Sequence, residues 1–192
     1  MKQLQVTIEG SGRHIHVTKE CLEALFGEGY ELEVKKYLSQ PGEFASTAKV
    51  DVVGPKGTIK GVSILGPCRK FTQVEVSFTD ARVLGINPPI RESGNIAGSA
   101  PVTLVGPKGT VELKEGAIVA KRHLHITPED AAEFGIQDKE IVQIKVGGER
   151  ALIFDEVVAR VSEKYATYVH LDYDEINAAA LFGDNAVGIV LR

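Results

Sequence analysis

Two histidine pairs constrain this chain more than any other feature. Arg13-His14-Ile15-His16-Val17-Thr18 recurs, over a hundred residues later, as Arg122-His123-Leu124-His125-Ile126-Thr127. The chain holds 5 histidines, and four of them lie in these two pairs. Random placement of so few would give roughly 0.1 His-x-His pairs, by template counting. Side chains alternate along a strand, so residues i and i+2 share a face. His14 and His16 then point one way, and Ile15 points into the core. On a helix the two rings would diverge. Two imidazoles on one strand face make a chelating pair for a divalent metal. Plain surface or core histidines are the alternative for a single pair, and two matched pairs weigh against it.

At 192 residues, with 43% hydrophobic and 25% charged residues, the chain buries a sizeable core as one large domain or two small ones. A net charge of −4 gives no general pull toward nucleic acid or an anionic membrane. An anionic small ligand held by a few local Arg and Lys residues stays compatible with it. No apolar run approaches the length of a bilayer span, and the N-terminus lacks the apolar region of a signal peptide. Cys21 and Cys68 form neither a C-x-x-C zinc word nor a disulfide framework, so a reducing cytoplasm is expected.

The spacing predicts many short strands with brief helices between them. Leu4–Ile8 alternates as a strand, and Thr18 caps a helix over Lys19–Phe26 that stops at Gly27. Strands are expected at Glu31–Val34, Lys49–Val53, Thr58–Leu65, Gln73–Ser77, Val102–Val105 and Thr110–Leu113. Two Gly-Pro-Lys-Gly words, at 54–57 and 106–109, sit between alternating runs and read as turns. They lack the P-loop spacing. A helix over Thr79–Leu84 ends at Gly85, and Asn87-Pro88-Pro89 is the expected domain-level break. Thr127 caps the next helix, with Pro128 at its first position and Asp130 in the capping-box slot. Further strands follow at Ile141–Val146, Ala151–Phe154, Val157–Val161, Tyr168–Asp172 and Ala186–Leu191, with a helix over Glu175–Leu181. Such a chain is mainly β, with barrel architecture and short helical caps, rather than a parallel sheet.

A finer repeat runs beneath this order. His16-Val17-Thr18, Glu75-Val76-Ser77, His125-Ile126-Thr127 and His170-Leu171-Asp172 each join a metal-ligand type, an apolar residue and a helix-capping residue. A ligand at a strand end just before a helix is rigidly placed. His14, His16, Glu75, His123, His125 and His170 make six ligands, which divide into two sets of three. Three protein ligands with an open position is the catalytic zinc arrangement, whereas structural zinc is closed by four.

These words carry a family resemblance. R-H-I-H-V-T, G-P-C-R-K-F-T-Q-V-E-V-S, R-E-S-G-N-I-A-G-S, R-H-L-H-I-T-P-E-D-A and H-L-D-Y-D-E-I-N-A-A run from about residue 10 to 180. The chain resembles the propanediol-utilisation-type phosphotransacylases, or phosphate propanoyltransferases. The resemblance implies acyl transfer between coenzyme A and inorganic phosphate, giving acyl phosphate, at a dinuclear zinc site with two zinc ions per chain. It implies two β-barrel domains with exchanged strands, capped by short helices. One would span 13–120, and the other 121–192 with the N-terminal strand in 1–12. One zinc would bind His14, His16 and Glu75, and the other His123, His125 and His170. Arg69 would be the catalytic phosphate holder, and Gly10, Ser11, Gly12, Lys56 and Asn177 would contact coenzyme A. A homodimer in the bacterial cytoplasm, without nucleic acid or membrane partners, completes the expectation. The resemblance leads one to expect a basic residue where Ser63 stands, so one coenzyme A contact it implies is missing here. Relatives packaged in microcompartments carry an extra N-terminal amphipathic segment, and none is seen before the first strand here.

Other classes fit less well. His14, His16, Glu20 and Gly27 match a cupin-like metal-binding spacing, but Glu20 falls in the expected helix, off the strand face. A dinuclear zinc hydrolase of the metallo-β-lactamase kind would need H-x-H-x-D-H, which both pairs lack.

Overall fold

Burial with a period of two runs through the strands. Ser46, Ala48, Val50 and Val52 are buried on one strand while Thr47 and Lys49 between them are exposed. Residues 3–183 and 186–192 are described by the structure, a computed structural model. Met1 and Lys2, in the expected 1–12 stretch, lie outside them. The elements begin with β1 (Gln5–Ser11), β2 (His14–His16), α1 (Lys19–Phe26), β3 (Val34–Tyr37), β4 (Phe44–Val53), β5 (Thr58–Gly66) and β6 (Gln73–Glu75). Next come α2 (Phe78–Leu84), β7 (Ile90–Arg91), β8 (Ala100–Val105), β9 (Thr110–Ala120) and β10 (His123–Ile126). The last are α3 (Pro128–Phe134), β11 (Ile141–Val146), β12 (Leu152–Val161), β13 (Tyr168–Asp172), α4 (Tyr173–Ala179) and β14 (Val187–Leu191).

The chain divides into two units. The first takes the chain up to Ser11, Ser39–Pro41 and Lys121 onward. Its strands close as a barrel in the order β1-β13-β10-β12-β11-β14, with β14 back on β1. Its core holds Leu124, Ile126, Ile144 and Leu171. The second unit takes Gly12–Leu38 and Gly42–Ala120. There β4-β5-β2-β6-β9-β8 closes when β8 returns to β4, with β3 beside β4 and β7 beside β9. Its core holds Ile15, Ile64, Leu84 and Leu104.

The two barrels share one plan. β2 runs parallel to β5 and antiparallel to β6, and β6 runs parallel to β9. β10 runs parallel to β12 and antiparallel to β13, and β13 runs parallel to β1. β9, which precedes β10 in sequence, therefore serves the second unit, and β1, which precedes β2, serves the first. This is the strand exchange.

Local chemistry sets the helices. Ser77 and Asp80 form a full capping box on α2, and Asp172 and Glu175 form one on α4. α3 differs from the expected box. Thr127 Oγ1 accepts from Asp130 N–H, but the Asp130 carboxylate takes the Thr167 hydroxyl, and that hydroxyl accepts from Thr127 N–H. The two Gly-Pro-Lys-Gly turns close helix ends. Lys56 N–H donates to Leu84 O and Lys108 N–H to Leu25 O, each at 3.0 Å. These carbonyls belong to last turns that have no partner within their own helix. A Cβ on Gly54 would lie 2.3 Å from Leu84 O, and one on Gly106 2.5 Å from Leu25 O, so glycine is required for the approach.

Several expectations shift: the last helix forms over Tyr173–Ala179 rather than Glu175–Leu181, and β9 runs on to Ala120 beyond the expected Leu113. The strand expected at Glu31–Val34 forms at Val34–Tyr37, wholly exposed on a sheet edge, where burial gives the sequence no pattern to follow. The two runs Ala151–Phe154 and Val157–Val161 are one strand, bent where Glu156 takes φ 56°. Asn87-Pro88-Pro89 lies inside the second unit and leads into β7. Among the described residues no helix is long and apolar enough to cross a membrane.

Candidate functional site

Each His-x-His strand meets its third donor on its antiparallel neighbour. His14 stands opposite Glu75, and His123 opposite His170. Opposed residues of an antiparallel pair share a face, and the histidine two positions along joins it. Ile15 and Leu124, between the histidines, are fully buried in the two cores. The donor atoms of His14, His16 and Glu75 lie within 4.8 Å of one another, as do those of His123, His125 and His170.

Backbone acceptors hold the rings. His14 Nδ1 donates to Gly12 O, and His123 Nδ1 to Lys121 O, each at 2.8 Å. With the hydrogen on Nδ1, the Nε2 lone pair is left on the shared face. His14 Nε2 lies 3.5 Å from Glu75 Oε2. Burial opposes a proton on His14, but the facing Glu75 carboxylate and the Gly12 carbonyl outweigh it and raise the pKa. A position that draws a proton between imidazole and carboxylate also draws a divalent cation. Burial, with the charges of His14 and Arg69, pushes His16 down to about 2, so its ring is neutral. His16 Nδ1 is buried and makes no hydrogen bond. The Leu65 backbone lies beside the ring, and the lone pair of a neutral imidazole is the form that binds a cation. Once a cation takes the place of the His14 proton, two neutral imidazoles and a carboxylate fit zinc with an open position.

The arginine that leads each pair ties the site together. Arg13 Nε and Nη2 donate to Asp80 at 3.0 and 2.8 Å, and Arg122 Nε donates to Glu175 Oε1. Asp80 and Glu175 are the capping-box acids of α2 and α4, the helices that follow Glu75 and His170. One guanidinium thus fixes the histidine strand to the element carrying the third donor. The arginine repeat was visible in the sequence, and its acidic partners stand at the third position after the cap.

Around the first triad lies a polar network. Fully buried Gln73 donates through Nε2 to Glu75 Oε1 at 2.7 Å and to Ser93 Oγ at 2.9 Å. Gly94 N–H donates to Gln73 Oε1 at 2.8 Å. Arg69 Nη2 donates to both oxygens of Glu43 at 3.1 Å, and Nη1 to Ser93 Oγ at 3.4 Å. The charge of Arg69 is felt by both His14 and His16. Glu43, Gln73 and Ser93 are single polar residues without a repeat, so the sequence carries no sign of their role.

The residues expected to contact coenzyme A are more dispersed. Gly10 leaves room for α4, since a Cβ there would meet the Tyr173 ring at 2.7 Å. Ser11 pairs with Asp172, and Gly12 gives its carbonyl to His14. Asn177 is exposed on α4. Lys56 is exposed at the C-terminal end of α2, a seven-residue helix of about 10 Å whose other end follows Glu75. The structure does not bring Lys56 to the first triad. Glu20, the cupin-type alternative, is exposed in the first turn of α1 and belongs to neither donor group.

The phosphate propanoyltransferase family model matches residues 7–182. A phosphate propanoyltransferase of Listeria monocytogenes is 54% identical over 173 residues, covering 90% of this chain and 81% of the relative. One from Enterococcus faecalis is 53% identical over 185 residues, covering 96% and 87%. One from Thermotoga maritima is 48% identical over 190 residues, covering 98% and 90%. All the words that carry both triads fall inside the matched span, and the chain belongs to the phosphate propanoyltransferase family of acyltransferases.

Proposed function

We propose that the chain moves a short acyl group reversibly between coenzyme A and inorganic phosphate, with one zinc ion held by each triad. The observation that carries this is the pair of three-donor groups on equivalent strands, one of them flanked by Arg69. When bound, zinc supplies a Lewis acid for the thioester carbonyl oxygen and for the leaving thiolate. His14, His16 and Glu75 are the holders of one ion, and His123, His125 and His170 of the other. The planar fork of Arg69 matches phosphate oxygens, and Glu43 and Ser93 keep it oriented. Phosphate is a poor nucleophile, so holding it beside the thioester supplies much of the rate. A phosphate oxygen bonds to the carbonyl carbon, the C–S bond breaks, and the electron pair leaves on sulfur.

Direct attack in a ternary complex is preferred to an acyl-cysteine route. Cys68 is exposed, but partial desolvation and then Glu20 raise its thiol pKa, and the thiolate is the reactive form. Gly10, Ser11, Gly12, Lys56 and Asn177 remain the assigned coenzyme A contacts. Two free cysteines suit a reducing bacterial cytoplasm, and a homodimer is the assembly the family resemblance implies.

Thiol release from propionyl-CoA, measured with and without phosphate, tests the reaction. Release should require phosphate and yield an acyl phosphate that hydroxylamine traps. Equal release without phosphate would make the protein a hydrolase instead.

A further inference from the structure

We infer that Glu9 is the positioning residue of the second triad: it sets the tautomer and direction of the His170 ring and supplies the negative charge that the triad lacks. Glu9, His170 and His123 form one row across β1, β13 and β10. His170 Nε2 lies 3.1 Å from Glu9 Oε2. A carboxylate accepts only, so the hydrogen sits on Nε2 and His170 Nδ1 keeps its lone pair. That Nδ1 faces His123 Nε2 at 3.1 Å. The His123 hydrogen is already committed to Lys121 O through Nδ1. Two lone pairs therefore converge, and a cation between them relieves their repulsion. Zinc–nitrogen bonds of about 2.0–2.1 Å at a tetrahedral angle put ligand nitrogens about 3.3 Å apart. The observed separation is close to that value. Without Glu9, nothing in this row decides which ring nitrogen of His170 faces His123.

Glu9 is itself held. Ser39 Oγ donates to the same carboxylate oxygen at 2.5 Å. The next residue, Gln40, is clamped to Ala166 by two hydrogen bonds, Nε2 to Ala166 O at 3.1 Å and Ala166 N–H to Oε1 at 3.3 Å.

The other barrel shows why the carboxylate matters. The equivalent row there is His14, Glu75 and Ile118 across β2, β6 and β9. Its carboxylate is a donor of the triad, and the outer place is a fully buried isoleucine. In the His123 triad all three donors are imidazoles, and the carboxylate stands one place further out. Each centre then has one carboxylate, in contact with the ion in one case and acting through a histidine in the other. A carboxylate behind a ligating histidine fixes its orientation and raises its basicity.

Given the metal reading of the triads above, zinc affinity measured against a chromophoric chelator tests Glu9. In a His14→Ala/His16→Ala background a single ion reports the His123 triad. There Glu9→Ala should weaken zinc by about tenfold to a hundredfold. Glu9→Gln keeps an acceptor for Nε2–H and should recover much of that loss, and Ser39→Ala should show a smaller loss. Cobalt in the same site should change its visible spectrum in Glu9→Ala, while thermal unfolding of the metal-free protein stays unchanged. In a His123→Ala/His125→Ala background, where only the first triad binds, Glu9→Ala should have no effect. Undiminished affinity in Glu9→Ala, or an equal loss at both triads, overturns the role. Failure of the metal reading has a different signature, since wild-type protein would then bind no zinc, and the role of Glu9 would fall with it.

Discussion

Arg69 shows how much rests on single side chains. Its guanidinium is oriented by Glu43 and Ser93 and lies close enough to the first triad to depress His16. Arg69→Lys keeps the charge and loses the fork. Losing a charge-assisted hydrogen bond of about 1.5–3 kcal/mol should raise the phosphate KM about tenfold to a hundredfold. The KM for acyl-CoA should change little in initial-rate measurements. A weakened coenzyme A affinity with unchanged phosphate dependence would remove Arg69 from the phosphate site. At this scale the sequence reveals what is repeated. The histidines stand out because their words occur twice, and Glu75 because it shares the ligand-apolar-cap form. Glu9, Glu43 and Gln73 do not stand out. A lone polar residue on a strand looks like ordinary solvated surface until a distant strand places its partner.

Elements are legible where local chemistry makes them. α1 forms over the expected residues because Thr18 caps it and Gly27 ends it, and both signals lie within one turn of the helix. β3 lies beyond its expected place because an exposed edge strand has no buried face to impose alternation. The Gly-Pro-Lys-Gly words were legible as turns but not as helix closures, since the helices they close lie far away in sequence. That docking separates two kinds of glycine. Gly54→Ala drives a Cβ against the Leu84 carbonyl, which the backbone cannot easily move, and should cost about 1–3 kcal/mol. Gly10→Ala meets side chains rather than backbone, the exposed Tyr173 ring at 2.7 Å and the buried Ile176 Cγ1 at 3.2 Å, and should cost less because both can shift. Thermal unfolding of the two variants orders them. A Gly54→Ala protein as stable as wild type would mean that the turn does not clamp α2.

For the whole molecule, duplication is the organising fact. Two six-stranded barrels repeat one pattern of parallel and antiparallel neighbours, and each takes the strand that precedes the other's histidine pair. Alternation and turn words were enough to indicate barrels. Closure was not legible from them, because β14 on β1 and β8 on β4 are pairings between distant segments. The repeated words anticipate the two three-donor groups, since equivalent strands carry equivalent residues to equivalent faces. Metal content is the most direct test that each cross-strand triad is an ion site. Elemental analysis of zinc-loaded protein should give two ions per chain for wild type. It should give one for His14→Ala/His16→Ala and one for His123→Ala/His125→Ala, with nearly all activity lost in the latter. A wild-type chain with a single ion, or either double variant still holding two, would contradict the account.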